Sequence, residues 1–362
     1  MAKFNAENER TKRHYFEWEK EARGKANATV SNIRDALYSF EESTGFKNFK
    51  AVTKEDIVNF KNQIKKKINH KTDRPVSETY LLHTSQYLIS FFQWLCTQKG
   101  YKKLNATDFH YFKISGKDMQ IARATPSKRY PSLEQIEHVV KNMPHSTELQ
   151  KRDRALIAFL ALSGMRVAAI VSLKLKHISL SQERIEQDPK EVKTKGSKKI
   201  VTYFFPVGDY LKQVVIDWVT FLKNEKLCDP GTPLFPSTKV SLNQNSQFSG
   251  AEFDTTPWKS TTPLRTIVEN AFKAAGLDYY NPHAFRHTIV NLAHQVCRKP
   301  EDLKAWSQNM GHNSVLTTLT SYGTIDECNQ GDIIKRLSRN DDNRPVTVND
   351  LKKWFSDGNI KT

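Results

Sequence analysis

The sequence predicts a mainly α protein with one small antiparallel β-sheet, split into a helical N-terminal domain and a larger helical domain that carries the sheet. Three observations predict it. Apolar residues recur three and four apart through most of the chain. That spacing gives way to alternation only between about 183 and 206. A basic stretch poor in apolar residues separates two amphipathic regions. With 362 residues, 38% of them hydrophobic, the chain is long enough for two or three domains and apolar enough to fold.

Residues from about 7 to 115 read as helical. Val30, Ile33, Leu37 and Phe40 line one face of a helix over Thr29 to Phe40. Ile57, Phe60 and Ile64 mark a shorter helix that runs into Lys65, Lys66 and Lys67, either a solvated helix end or a phosphate contact. Leu81, Tyr87, Leu88, Phe91, Phe92 and Leu95 form a denser stripe in a second long helix. Ile114 to Lys128 reads as a linker able to lie along a phosphate backbone, with Lys128 and Arg129 as candidate DNA contacts. The domains are set at 1–120, a basic linker 121–130, 131–338 and a tail 339–362.

The second domain opens on Ser132, with Gln135 three residues on, a capping box followed by Ile136, Val139 and Val140. Residues 149 to 162 form an amphipathic helix ending at Ser163-Gly164. Ile185, Val192, Ile200, Tyr203 and Phe205 suggest short strands, with Gly196 in a turn. Helix returns at Tyr210 to Lys223, the polar stretch from about 237 to 262 reads as a surface loop, and helix resumes from Pro263 to the mid 330s.

A formal net charge of +17 points to a polyanionic partner, of which nucleic acid is the commonest. Met1 to Arg10 is polar, which excludes a secretory signal there, and no run of about 18 apolar residues exists to span a membrane. Cys96, Cys228, Cys297 and Cys328 are scattered, so neither a zinc cluster nor a disulfide framework is expected, and a cytoplasmic setting is.

Four separated stretches carry chemistry. Leu162-Ser163-Gly164-Met165-Arg166-Val167 places an arginine just after a tight turn. Val192-Lys193-Thr194-Lys195-Gly196-Ser197-Lys198-Lys199 is a basic β-turn. In Pro282-His283-Ala284-Phe285-Arg286-His287-Thr288, His283 and Arg286 are three apart and share a face if helical. Met310-Gly311-His312-Asn313-Ser314 is followed by Tyr322, ten residues after His312. Each stretch alone is weak, but their order and spacing together are specific.

In these four stretches the sequence resembles the tyrosine recombinases, the family of phage integrases and Xer-type resolving enzymes, over about residues 130 to 335. Residues 1 to 125 resemble the family's core-binding (SAM-like) domain in helical character and position. The resemblance implies a two-domain DNA clamp that cuts and rejoins strands through a covalent 3′-phosphotyrosyl intermediate. Arg166 resembles the first catalytic arginine, Lys195 the hairpin lysine, and His283 and Arg286 the His-x-x-Arg pair. His312 resembles the second histidine and Tyr322 the nucleophile. Two departures stand out. Ala169 sits where the family usually has a buttressing acidic residue, so a different support is needed. The gap from His312 to Tyr322 is one residue longer than in the commonest relatives.

Chemistry agrees with these roles. A tyrosyl oxygen can attack the scissile phosphorus and later be displaced by a 5′-hydroxyl. Two arginines clamp the non-bridging oxygens of the transition state, and a histidine adds a donor. His283 is the natural base for a phenol of pKa about 10, and Lys195 the acid for the departing 5′-oxygen. The set needs no metal, nucleotide or other cofactor. Lys193 and Lys198 stay open as alternatives to Lys195, because hairpin register is not fixed by sequence. Tyr279 and Tyr280 are decoys, since a nucleophile must approach from its own segment. His287 is expected to face away from His283 and Arg286, and Trp306 to join the core. Lys198 and Lys199 are further candidate DNA contacts.

The expected partners are duplex DNA with specific sites, three further copies of the chain in a tetramer on two sites, and accessory DNA-bending proteins. Val348, Leu351, Trp354 and Phe355 give the tail an apolar stripe at helical spacing, able to dock on its own protomer or on a neighbour.

Overall fold

In a computed structural model of the chain, residues 4–69, 73–123, 129–242 and 248–312 are described, and the chain divides into two compact units, Met1–Ala124 and Thr125–Thr362. It is mainly helical with small antiparallel sheets. Among the described residues no helix is long and apolar enough to cross a membrane.

The N-terminal unit holds α1 (Ala6–Glu17), α2 (Asn27–Ser43), α3 (Lys54–Lys65), a two-residue hairpin of β1 (Ile68–Asn69) and β2 (Arg74–Pro75), α4 (Glu78–Cys96) and α5 (Gly116–Arg123). Thr53 starts α3, with its hydroxyl and the Asp56 carboxylate capping each other's backbone. The apolar stripes read from sequence are buried: Ile33, Leu37 and Phe40 of α2 meet Phe91 and Phe92 of α4 in one core. Phe92 stacks on Phe109 at 4.5 Å between ring centroids and meets Phe40 edge-on at 5.4 Å. Each such ring contributes about 1.5–3 kcal/mol through its burial. The linker expectation needs correction at Ile114 to Arg123. Ile114 is buried, Ser115 Oγ accepts from Asp118 N, and α5 packs on α4. A short helix that rests on its neighbour through the partly buried Met119 and Ala122 had too few apolar residues to show.

The second unit begins with α6 (Leu133–Asn142). Its capping box forms as expected: Gln135 N donates to Ser132 Oγ at 3.2 Å and Ser132 N to Gln135 Oε1 at 3.0 Å. α7 (Glu148–Ser163) is buried on every side from Ala155 onward, the pattern of a central helix. After α8 (Val167–Ile170) come β3 (Ile178–Ser179), β4 (Arg184–Gln187) and β5 (Ile200–Tyr203), a three-stranded antiparallel sheet in that order. Ile185 and Ile200 lie in strands and Gly196 in the turn, but Val192 and Phe205 lie outside them. Both are buried all the same, and Phe205 N donates to Leu162 O at 2.8 Å, tying the sheet's exit to the end of α7.

α9 (Asp209–Thr220) packs along α7. The loop expected over 237–262 is instead partly a hairpin of β6 (Thr238–Leu242) and β7 (Phe248–Phe253), with Thr238 opposite Phe253. Its backbone pairing needs no apolar alternation, so a polar sequence hid it. The helix expected from Pro263 is three: α10 (Thr262–Ala274), α11 (Ala284–Val296) and α12 (Pro300–Asn309). Its continuation to the mid 330s lies outside the described residues.

Candidate active site

Two glycine turns build the site. Gly164 ends α7 at φ +54°, and a Cβ there would lie 3.3 Å from both Met310 Sδ and Phe205 Cε2. Gly311, just past α12, has φ +66°, and a Cβ there would lie 2.8 Å from Ile200 Cδ1. Arg166 thus leaves the first turn at the N-cap of α8, half-buried, and His312 leaves the second. The second turn closes on β5 at Ile200, and the first on Phe205, just past the strand's end.

Arg286 joins them. It lies in α11, 2% exposed. One Nη donates to Gly164 O, while the other donates to Met310 O at 2.9 Å and to His312 Nε2 at 2.9 Å. A guanidinium only donates, so His312 Nε2 must offer a lone pair and the ring proton is assigned to Nδ1. The pKa of His312 agrees, pushed down to about 3 by burial and by the charges of Arg286, Arg166 and His283. His312 is therefore neutral at ordinary pH.

His283 is the N-cap of α11, and Arg286 N donates to its carbonyl at 3.1 Å. The expectation for His287 needs correction. Its ring is 3% exposed and meets His283 edge-on at 5.8 Å, with Tyr130 stacked at 6.2 Å. Residue 287 lies four positions after 283, whose own backbone is helical, so one helical turn sets the two side chains together.

Arg166, Arg286, Lys193 and Lys195 line one small cleft, floored by Gln187 and Thr202. Lys198 and Lys199 line a neighbouring groove with His312 and Gly311. The structure thus brings together Arg166, Lys195, Arg286 and His312, and it leaves Lys193 beside Lys195. From the far side the loop is braced by Glu191, which accepts from Lys176 Nζ and His177 Nε2, each at 2.8 Å. These two bonds hold its carboxyl at about 2.

Ala169 is buried on the cleft wall. The polar support nearby is neutral: Gln187 Nε2 donates to Thr202 Oγ1, and Thr202 Oγ1 to Asn309 O, each at 2.9 Å. Sequence reasoning missed all three residues. The available signal was a polar residue at an inward position of each strand.

The remaining candidates are dispersed. Tyr322, Lys128 and the tail stripe lie outside the described residues. Arg129, Lys66 and Lys67 are exposed, and Lys65 is paired with Asp118 at 2.6 Å. Tyr280 packs on the core against Phe272 at 5.6 Å, and partial burial raises the Tyr279 hydroxyl above the ordinary phenol range. Trp306 packs on the edge of the core, its ring 4.8 Å from Phe205. Among the described residues no three His, Cys, Asp or Glu side chains are grouped to hold a metal ion.

A helical unit with a small sheet, gathering four distant basic motifs around one buried guanidinium, defines a class with known members. The chain belongs to the phage integrase family, whose model matches residues 132–327, more than half of its length. Among curated relatives it is 25% identical over 297 residues to the tyrosine recombinase XerC of Corynebacterium glutamicum, covering 82% of this chain and 81% of that one. It is 25% identical over 247 residues to XerC of Thermodesulfovibrio yellowstonii, covering 67% and 70%. Its fold is similar to that of a lambda integrase (75–356) dimer bound to a COC′ core site, with a TM-score of 0.59 at 13% identity, covering 94% of this chain and 99% of that one. The family makes the chain an enzyme of the tyrosine recombinase type.

Proposed function

We propose that the chain cuts and rejoins duplex DNA at specific sites through a covalent 3′-phosphotyrosyl intermediate on Tyr322, without metal or nucleotide. One observation carries the reading: a buried guanidinium, Arg286, is oriented by two main-chain carbonyls and a neutral imidazole in a cleft shared with Arg166 and Lys195. Carbonyls and a neutral ring orient a cation without cancelling its charge. The two arginines then stabilise the negative charge that grows on the non-bridging phosphoryl oxygens. His312, neutral, adds an N–H donor. His283 takes the phenolic proton, and Lys195 protonates the leaving 5′-oxygen. The helical unit supplies phosphate contacts through Lys65, Lys66 and Lys67, and Lys128, Arg129, Lys198 and Lys199 extend them. Four copies assemble on two sites, as the lambda integrase tetramer does on a Holliday junction.

The test is adduct capture on a randomised duplex library, from which protein-linked strands are recovered and sequenced. The wild-type chain should give an adduct resistant to SDS and indifferent to EDTA. Tyr322→Phe should bind the recovered site and give none. An adduct in Tyr322→Phe, or cleavage that needs magnesium, overturns the reading.

A further inference from the structure

The end of α12 is fastened to β5 by a contact that the chemistry above does not use. The Asn309 side chain grips one residue's backbone from both sides. Tyr203 N donates to Asn309 Oδ1 at 2.6 Å, and Asn309 Nδ2 donates to Tyr203 O at 2.9 Å. A primary amide is a peptide-group mimic, and here it pairs with the free edge of β5 as a neighbouring strand would. The Asn309 main chain is held too, since its carbonyl accepts from Thr202 Oγ1, which accepts from Gln187 Nε2. Thr202 and Gln187 are 1% and 4% exposed, so the bond between them is made away from water.

The position of this contact gives it consequence. Gln187 ends β4 and Ile200 begins β5 opposite it, and the loop between them carries Lys193 and Lys195. Beyond Asn309 come Met310, whose carbonyl holds Arg286, then Gly311 against Ile200, then His312. Asn309 therefore fastens the far end of β5 with its side chain and reaches the base of the lysine loop through its carbonyl, Thr202 and Gln187, just before the turn that presents His312.

We infer that Asn309 is a positioning residue that sets Lys195 and His312 in register with the phosphate held by Arg286. The inference rests on the function proposed above. Without the amide, α12 is tied to β5 by the bond from Thr202 Oγ1 to Asn309 O, and their common register loosens. A displacement of about 1 Å in a reacting group costs on the order of 10²-fold in rate, and Lys195, on an exposed loop, has the most freedom to drift.

The experiment uses the full-length protein and the site recovered by adduct capture. It compares an ordinary duplex with one whose scissile 5′-oxygen is replaced by sulfur. A thiol has a pKa of about 8.5 and departs as thiolate without a proton, so the sulfur duplex needs no acid. Asn309→Leu should bind the site as wild type does and cleave the ordinary duplex on the order of 10-fold or more slowly. It should recover most of that loss on the sulfur duplex, as Lys195→Ala does and Arg166→Ala does not. Thr202→Val, which keeps shape and removes the bond to Asn309 O, should show a smaller loss with the same recovery. If Asn309→Leu folds poorly, Thr202→Val decides. A wild-type rate in both variants, or a loss equal on both duplexes, overturns the inference. A wild-type rate in Lys195→Ala instead sinks the acid assigned under the proposed function. A loss in Lys195→Ala beside wild-type rates in Asn309→Leu and Thr202→Val sinks the clamp alone.

Discussion

In the N-terminal unit a buried lysine, Lys12, is neutralised where it stands. It pairs with Glu41, which is fully buried and also accepts from Asn8 Nδ2 at 3.0 Å. In the C-terminal unit a buried arginine, Arg286, is anchored by main-chain carbonyls and a neutral ring. The first arrangement stabilises a fold and offers nothing to a ligand. The second orients a cation, and a phosphate can supply the countercharge that Glu41 supplies to Lys12. Burial of a charge therefore does not identify a site by itself. The chemical kind of its anchor does.

That contrast breaks most sharply at the two cations. Arg286→Lys keeps the charge but not the fork, so cleavage of the captured site should fall ~10²–10³-fold while DNA affinity changes far less. Lys12→Met leaves Glu41 buried and unbalanced, and should lower unfolding stability by about 3–5 kcal/mol. Cleavage per folded molecule should not change. Equal losses of binding and cleavage in Arg286→Lys would make that residue an ordinary phosphate anchor. A cleavage defect in folded Lys12→Met would erase the contrast.

A smaller effect is expected at the turn that carries His312. Gly311→Ala asks an L-residue to hold φ +66° and drives a Cβ to 2.8 Å from Ile200 Cδ1. The left-handed conformation alone costs about 1–2 kcal/mol, and the overlap adds to it. Chemical denaturation should show that loss, and Ile200→Val should return part of it in the double variant. Full additivity of the two changes would mean that the turn does not press on β5.

The first glycine turn was legible in the sequence and the second only in part. Gly164 stands at the end of an apolar helix before Arg166, a pattern with a local cause. Gly311 was visible as part of a motif, but its partner Ile200 lies more than a hundred residues away, and no local spacing encodes that. The aromatic stripe of α4 and the capping box at Ser132 were readable for the same local reason. Gln187, Thr202 and Asn309 were not, because each is an ordinary polar residue until the sheet brings it to the end of α12. The β6–β7 hairpin escaped because backbone pairing carries no side-chain signature. His287 was misplaced by discounting the i, i+4 relation to His283, which on a helix makes the two side chains neighbours.

The pH dependence sharpens the contrast further. His312 titrates at about 3 when folded against an ordinary 6.5, so the unfolded chain binds the proton first. Its contribution to stability is present above pH 6.5 and is lost as pH falls toward 3. The pH dependence of stability across that window should flatten by about one proton in His312→Gln. An unchanged slope in His312→Gln would mean that the ring is not held neutral by its cationic neighbours.

The smallest effects are expected where a carboxylate pairs with a lysine near the surface, one in each unit. Asp118 holds Lys65 at 2.6 Å, and Glu191 holds Lys176 at 2.8 Å beside the lysine loop. Both carboxyls, Asp118 partly buried and Glu191 exposed, are held below their usual range by these partners, so they stay charged from pH 5 to 8. Such pairs contribute little to stability in water, but each cancels a cation that a phosphate competes for. Asp118→Asn and Glu191→Gln should therefore tighten binding to non-specific duplex DNA at low salt. If the released lysine meets a phosphate, the slope of log affinity against log salt should steepen by up to about 0.9 for each. The gain should vanish at high salt, where the counterion term is gone. Glu191→Gln should also loosen the loop and slow cleavage slightly, whereas Asp118→Asn should leave the cleavage step alone. If Asp118→Asn changes neither affinity nor salt slope, Lys65 is a solvated helix end and the N-terminal unit reaches DNA by other residues. If it steepens the slope as Glu191→Gln does, both units contact the backbone through lysines that the free protein keeps paired.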